Sequence, residues 1–390
     1  MTRAYQTKTH TFYSPNKTIV GLESASLVAD EIQHLGGDKV LIVTDPGVIQ
    51  ANLIAPIAES LQSKGIAYVL YDGVEPEPPS RVIDRGAEVF GSEGCNLILG
   101  IGGGSSLDVA KGISILTANE GNVLDYIGVD RVPKKGASMI LMPSTAGTGS
   151  EVTRVLVVTD EEQNTKNAVF TPFALTDVAI VDPLLTLSMP PKVTADTGID
   201  ALVHAIECYV SMNATVFSDI LAEKAIQLIA RHLPMAWAKG SNIEARFQMS
   251  LAATLAGIAF GSGGLGAVHA LAYPLGTEYH MTHGRTNAIM LPHIMRFNIP
   301  GNPEKYARIA ALMGQDVEDL PVLEAAELAV EAIQELLETI NVSYKISDYG
   351  IPEEDLSKLV KGAMKQSRLF VPNPRDPNEE DVRMIYWMAY

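Results

Sequence analysis

Asn96-Leu-Ile-Leu-Gly100-Ile-Gly102-Gly103-Gly104-Ser105-Ser106-Leu-Asp108-Val-Ala-Lys-Gly-Ile113 is the stretch on which the fold turns. Asn96 to Gly100 is an apolar run of strand length, and Leu107 to Ile113 has helical spacing. The glycines between them let backbone N–H groups approach an anion with no Cβ in the way. The helix start adds unsatisfied donors and the positive end of a dipole. Strand, glycine turn and helix together predict a phosphate cradle, with Gly102, Gly103, Gly104, Ser105 and Asp108 on the cofactor side. Ser105 to Asp108 also fits a capping box, in which Asp108 only closes the helix. The run is neither a Walker A sequence nor a clean GxGxxG, so alone it does not select a dinucleotide over ATP.

Working outward, short Val/Ile/Leu-rich runs at Lys39–Thr44, Ala67–Tyr71, Met139–Met142 and Ala179–Val181 alternate with stretches long enough for crossover helices, such as Val48–Lys64 and Ser80–Phe90. That rhythm predicts βαβ units and a mostly parallel sheet. Asp45 ends the first of these strands, where a carboxylate accepts from ribose hydroxyls and repels a 2′-phosphate; an Asp-Pro turn at Asp45-Pro46 is the structural alternative. A second polar glycine turn, Pro143-Ser-Thr145-Ala-Gly-Thr148-Gly-Ser-Glu151, follows another strand and offers hydroxyls to a ribose, an amide or a second phosphate. After Met189-Pro190-Pro191 the pattern becomes helical, with long periodic segments at Asp219–Leu233, Ile243–Phe260, Leu323–Leu337 and Asp355–Met364. The expected domains are residues 1–188, α/β, and residues 189–390, helical. Glu379 to Asp381 reads as a solvated helix start.

The chain has 390 residues, 47% apolar and 19% charged, which excludes a disordered protein and gives enough length for two or three domains. Lys and Arg number 29 against 46 Asp and Glu, a net charge of −17 that repels nucleic acid and anionic membrane surfaces. Cys95 and Cys208 form neither a CxxC pair nor a disulfide framework, and the chain shows no signal-peptide pattern and no apolar run of spanning length. A cytoplasmic setting is expected.

In Thr197-Gly-Ile-Asp200-Ala-Leu-Val-His204-Ala-Ile-Glu207, Asp200 and His204 stand four residues apart and project from one helix face. His269 and His283 lie further on, the first expected to end an apolar helix broken by Pro274, the second to precede a helix over Thr286–Phe297. One oxygen and three nitrogen donors suit a divalent cation such as Fe²⁺ or Zn²⁺ and leave a position open for substrate or water. Spacing does not distinguish His283 from His280 as the fourth donor. Cys208, one turn beyond His204, reads as a small buried hydrophobe, and His232 and His293 as surface or packing residues.

Gly102-Gly-Gly-Ser-Ser-Leu-Asp108, Thr145-Ala-Gly-Thr-Gly-Ser-Glu-Val-Thr153, Asp200-Ala-Leu-Val-His-Ala-Ile-Glu207 and His269-Ala-Leu-Ala-Tyr-Pro-Leu-Gly276 through His283-Gly284 resemble, in order and spacing, the iron-containing (group III) alcohol dehydrogenase family. The resemblance implies a dehydroquinate synthase-like architecture: an amino-terminal dinucleotide-binding domain, an all-α metal-binding domain, and NAD(P) and metal in a cleft between them. It assigns the metal to Asp200, His204, His269 and His283, which settles His283 over His280. It puts Gly104 and Ser105 at the pyrophosphate, Thr145 and Thr148 in the second cofactor loop, and Lys166 towards the cofactor. It links an acid at Asp45 with NAD rather than NADP, and a strand near Thr9–Tyr13 with a homodimer or larger assembly. The chain departs from the family at Tyr273, where many members carry a second histidine, and at Glu77, where a smaller amide is frequent. A phenol is a poor base at neutral pH.

The implied reaction is reversible hydride transfer between a small primary alcohol or diol and its aldehyde. A cation would lower the alcohol's pKa and a nicotinamide would carry the redox step. The alternatives are a polyol, glycerol-type or 4-hydroxybutyrate dehydrogenase on the same scaffold, a cyclase resembling dehydroquinate synthase, and a non-redox nucleotide-binding protein. The cyclase would want a basic pocket, which the helical half does not offer near the candidate ligands. Arg154 is a candidate for contact with a hydroxylated substrate, with a salt bridge as its alternative role.

Overall fold

The computed structural model describes residues 9–162 and 165–390; residues 1–8 and 163–164 lie outside the described residues. The chain divides into two compact units, residues 13–188 and residues 189–390, the latter taking in residues 9–12.

In the first unit, six parallel strands form a sheet in the order β1-β9-β6-β4-β2-β3. They are β1 (Lys17–Val20), β2 (Lys39–Val43), β3 (Ala67–Tyr71), β4 (Leu97–Gly102), β6 (Ser138–Pro143) and β9 (Val178–Val181). The helices are α1 (Val28–His34), α2 (Pro46–Gln50), α3 (Ile54–Ser63), α4 (Ser80–Ser92) and α5 (Gly104–Leu116). Alternate residues of each central strand feed two cores. Val40, Ile42, Leu97 and Leu99 pack with Ile32 and Leu61 on one face, while Leu41, Val43, Ile98 and Leu141 pack with Ile83 and Ile113 on the other. Burial on both faces is why these strands read as unbroken apolar runs rather than alternating ones.

From β2 the chain steps to β3 on one side, then returns across β2 to β4, β6 and β9 on the other. The direction reverses between β2 and β4, and a crevice outside the carboxyl ends of such strands is where open α/β sheets bind ligands. Asp45 follows β2 and the glycine turn follows β4, so both lie at that point.

A smaller sheet, β5-β8-β7, comprises β5 (Gly128–Val129), β7 (Val155–Asp160) and β8 (Thr165–Phe170). The expected helix over Val48–Lys64 is two helices, α2 and α3, because Asn52 adopts a left-handed backbone (φ 55°) between them. The described residues from Thr9 to Asn16 form no strand. Phe12 instead stacks on Phe217, with ring centroids 5.2 Å apart.

The second unit is helical: α6 (Pro191–Val210), α7 (Val216–Ala238), α8 (Ile243–Gly263), α9 (Ala267–Tyr279), α10 (His283–Asn298), α11 (Pro303–Leu312), α12 (Val322–Thr339), α13 (Leu356–Met364) and α14 (Glu379–Ala389). Pro191 starts α6 at a position where its missing N–H costs nothing. Asn378 and Asp381 close a capping box at the start of α14. His269 does not end a helix as expected. The preceding helix stops at Gly263, a new one begins at Ala267, and Pro274 sits inside it. Among the described residues no single helix is long and apolar enough to cross a membrane; α8 and α9 are so only taken together, and that pair is bent by 108°.

Candidate active site

In the first unit the two polar turns meet. Gly102 has φ +151°, and a Cβ there would lie 2.5 Å from Ser106 Oγ and 2.9 Å from Asp45 Oδ2. A Cβ on Gly104 would sit 2.7 Å from Thr148 Cγ2, and one on Gly103 3.5 Å from Thr145 Cγ2. Glycine at 104 therefore lets the turn after β4 pack against the turn after β6, glycine at 102 leaves room for Ser106 and Asp45, and the N–H groups at the start of α5 are left without a side-chain cap. The N-cap is Gly103, so the Ser105–Asp108 capping box does not form.

Asp108 is turned away from the helix start. It accepts Ser150 Oγ at 2.6 Å and the Val157 N–H at 2.9 Å, pinning the second turn. Burial pushes its carboxyl up, against the charge of Lys111. Asp45 combines both roles weighed for it. Its Oδ1 caps α2 through Gly47 and Val48, and its Oδ2 accepts Ser106 Oγ at 2.9 Å beside the glycine turn. Lys166, on β8, pairs with Glu77 at 2.5 Å, so the residue that departs from the family pattern holds the lysine. Arg154 lies 3.5 Å from Asp130 and stacks over Tyr13, its centroid distance 4.7 Å.

In the second unit, α6 supplies Asp200 and His204, α9 supplies His269, and His283 is the first residue of α10. One donor atom from each lies within 4.8 Å of the others. Tetrahedral donors about 2.1 Å from a common ion stand about 3.4 Å apart, and His204 Nε2 and His283 Nε2 lie 3.6 and 3.5 Å from Asp200 Oδ1. Asp200, His204 and His269 are buried, and the His283 side chain is 34% exposed, so the group opens on one side. His280 is exposed at the left-handed C-cap of α9 and is not one of the four.

Two neighbours that the sequence reading did not single out tune the group. Glu207 Oε2 lies 2.6 Å from His269 Nδ1, and its Oε1 accepts the Val268 N–H at 2.6 Å. A carboxylate on Nδ1 fixes the tautomer that presents a bare Nε2 to a metal. Asn287 donates to Asp200 Oδ1 at 2.8 Å, and its Oδ1 is buried without a hydrogen-bond partner among the described residues. Both were accessible from spacing: Glu207 is three residues from His204, and Asn287 four from His283. Burial opposes the charge on Asp200, but the three imidazoles and the Asn287 amide outweigh it and hold the carboxyl below its usual range. Tyr273 stacks on His283 at 5.6 Å and meets His269 edge-on, and burial pushes its phenol further up from 10. Cys208 is fully buried, its thiol pushed up to about 12 by burial. His232 and His293 are buried packing residues.

A doubly wound unit with a glycine turn at its switch point, and a helical unit gathering one carboxylate and three imidazoles, are joined by family and relative matches that make the chain an oxidoreductase acting on CH–OH groups. Residues 15–183 match the family description iron-containing alcohol dehydrogenase, and residues 194–390 match the Fe-containing alcohol dehydrogenase family, C-terminal. The chain belongs to the iron-containing alcohol dehydrogenase family. It is 41% identical to the 1,3-propanediol dehydrogenase of Citrobacter freundii over 378 residues, 96% of this chain and 97% of that one. It is 36% identical to the NAD-dependent methanol dehydrogenase of Bacillus methanolicus, covering 96% and 98% respectively. A crystal structure of a 1,3-propanediol oxidoreductase superposes with a TM-score of 0.96 at 40% identity, covering 98% of this chain and 100% of the other.

Proposed function

We propose that this alcohol dehydrogenase oxidises a small primary alcohol or diol reversibly with NAD, using one divalent cation, Fe²⁺ or a substitute, held by Asp200, His204, His269 and His283. The observation that carries the reading is the convergence of those four donor atoms within 4.8 Å, with Glu207 fixing the His269 tautomer. The donor set fits the ion: a charged oxygen and three nitrogens match a borderline cation, and the exposed side at His283 leaves room for an alcohol oxygen. Such an ion, when bound, supplies Lewis acidity towards that oxygen.

The chain's own residues do the remaining work. Residues 13–188 serve as the dinucleotide-binding domain, with Gly102, Gly103, Gly104 and Ser105 presenting helix N–H groups to the pyrophosphate and Asp45 favouring the unphosphorylated ribose. Thr145 and Thr148 line the same turn, Lys166 stands towards the cofactor, and Asp108 acts by pinning the second loop. Residues 189–390 serve as the metal-binding domain. Phe260, 4.5 Å from the His204 ring, and Tyr273 give the group an aromatic flank that excludes water. A cytoplasmic setting is proposed, supported by two free, buried cysteines, and with it a homodimer or larger homo-oligomer.

His269→Ala should lose the metal and turnover while NADH still binds, read by metal analysis, NADH absorbance and fluorescence titration. Undiminished turnover in metal-free protein would refute the reading.

A further inference from the structure

We infer that Asp196 is the positioning residue for His283, and that it works by gripping the chain on both sides of that histidine. The inference rests on the metal reading above. Asp196 lies one turn before Asp200 on α6 and is buried. Its Oδ2 accepts Thr282 Oγ at 2.7 Å, and its Oδ1 accepts Arg285 Nε at 2.8 Å with Arg285 Nη2 at 2.7 Å. Residues 282 and 285 bracket His283. Between them, Gly284 rests on the α6 backbone: a Cβ there would fall 1.9 Å from the Asp196 carbonyl oxygen.

The grip is specific to this end of the site. Thr282 is the N-cap residue of α10, yet its hydroxyl makes no cap and goes to Asp196 instead. Arg285 is steadied from behind by Tyr349 Oη at 3.4 Å, and Tyr349 in turn donates to the Ser343 carbonyl. His283 is the donor most in need of such support. It follows a three-residue link from α9, and its side chain is 34% exposed while the other three are buried.

The positions on α6 now form one stripe, 196, 200, 204 and 207, at helical spacing. Asp200 and His204 enter the group directly, Glu207 holds His269, and Asp196 holds the His283 segment. One helix face therefore sets all four donors.

The test uses Co²⁺ added to the metal-free full-length chain, with affinity from chelator competition, coordination from the visible spectrum, and thermal unfolding of the metal-free protein alongside. Asp196→Asn and Arg285→Ala should each weaken Co²⁺ binding about 10- to 100-fold and alter the visible bands. Arg285→Lys should recover only part of the loss, because an ammonium cannot offer the two-nitrogen fork. Arg308→Ala breaks a salt bridge to Glu223 elsewhere in the unit and should leave Co²⁺ affinity within twofold. If Asp196→Asn does not fold, Arg285→Ala and Thr282→Val carry the test. Wild-type binding matched by Arg285→Ala, or a loss equalled by Arg308→Ala, overturns this inference alone. Absence of Co²⁺ binding by the wild-type chain overturns the metal reading and this inference with it.

Discussion

Glu207→Gln isolates the outer carboxylate from the donors it serves. The glutamate is buried and accepts twice, from His269 Nδ1 at 2.6 Å and from the Val268 N–H at 2.6 Å. Glutamine has the same shape but one acceptor oxygen. If that oxygen stays on His269, the Val268 N–H faces an NH₂ group and one buried donor goes unpaired, at about 1–3 kcal/mol of stability. If it stays on Val268, the NH₂ faces Nδ1, the imidazole proton moves to Nε2, and the nitrogen aimed at the donor group no longer has a free lone pair. The first arrangement keeps the tautomer but removes the negative charge behind the imidazole, which lowers its basicity, and the second removes the lone pair itself; each weakens the metal site, by about 10- to 100-fold, or about 1.4–2.7 kcal/mol. The assay is chelator competition for Zn²⁺ and Co²⁺ on metal-free wild type and variant, with NADH titration as the control expected not to move. Metal affinity within twofold of wild type would refute the argument that the Glu207 carboxylate strengthens His269 as a donor.

Asp45→Asn keeps acceptors for Gly47 and Val48 while removing the charge beside Gly102. A carboxylate about 4 Å from a dianionic 2′-phosphate costs about 2 kcal/mol even in water. The ratio of kcat/KM for NADP over NAD should therefore rise at least about tenfold, and an unchanged ratio would remove Asp45 from the ribose site. Lys111 is fully buried and donates to Ser150 Oγ, Thr153 Oγ1 and the Val155 carbonyl, and burial pushes its ammonium down to about 8 from 10.5. The unfolded chain then holds more protons between those values, so this residue's contribution to stability rises with pH across that window. Relative to Lys111→Met, the wild type should gain about 3 kcal/mol between pH 8 and pH 10.5 in urea unfolding; parallel pH curves would show that the ammonium is not desolvated.

Much of this was legible because the central sheet is buried on both faces. Leu97–Gly102 and Lys39–Val43 announce themselves as apolar runs closed by glycine or aspartate. Lys17–Val20 did not, being a four-residue edge strand with an exposed, polar first half, and the small sheet was missed because Val155–Asp160 is only half-buried in alternation. Asp200 and His204 declare a shared face by their spacing, whereas His269 and His283 join them only through the packing of α10 on α6 and of α9 on α10. The left-handed turn at His280, which keeps that histidine outside the group, is a backbone property no spacing rule reveals. Asp108 illustrates the opposite difficulty. A motif position suggests a cofactor contact, yet its oxygens go to Ser150 and Val157 inside the fold.

Metal dependence is put to the test by anaerobic titration of Fe²⁺ into the chelated chain while NADH production from short primary alcohols and diols is followed. The account predicts negligible rate without metal, a linear rise, and a sharp break at one ion per chain. Full turnover before any metal is added would contradict it.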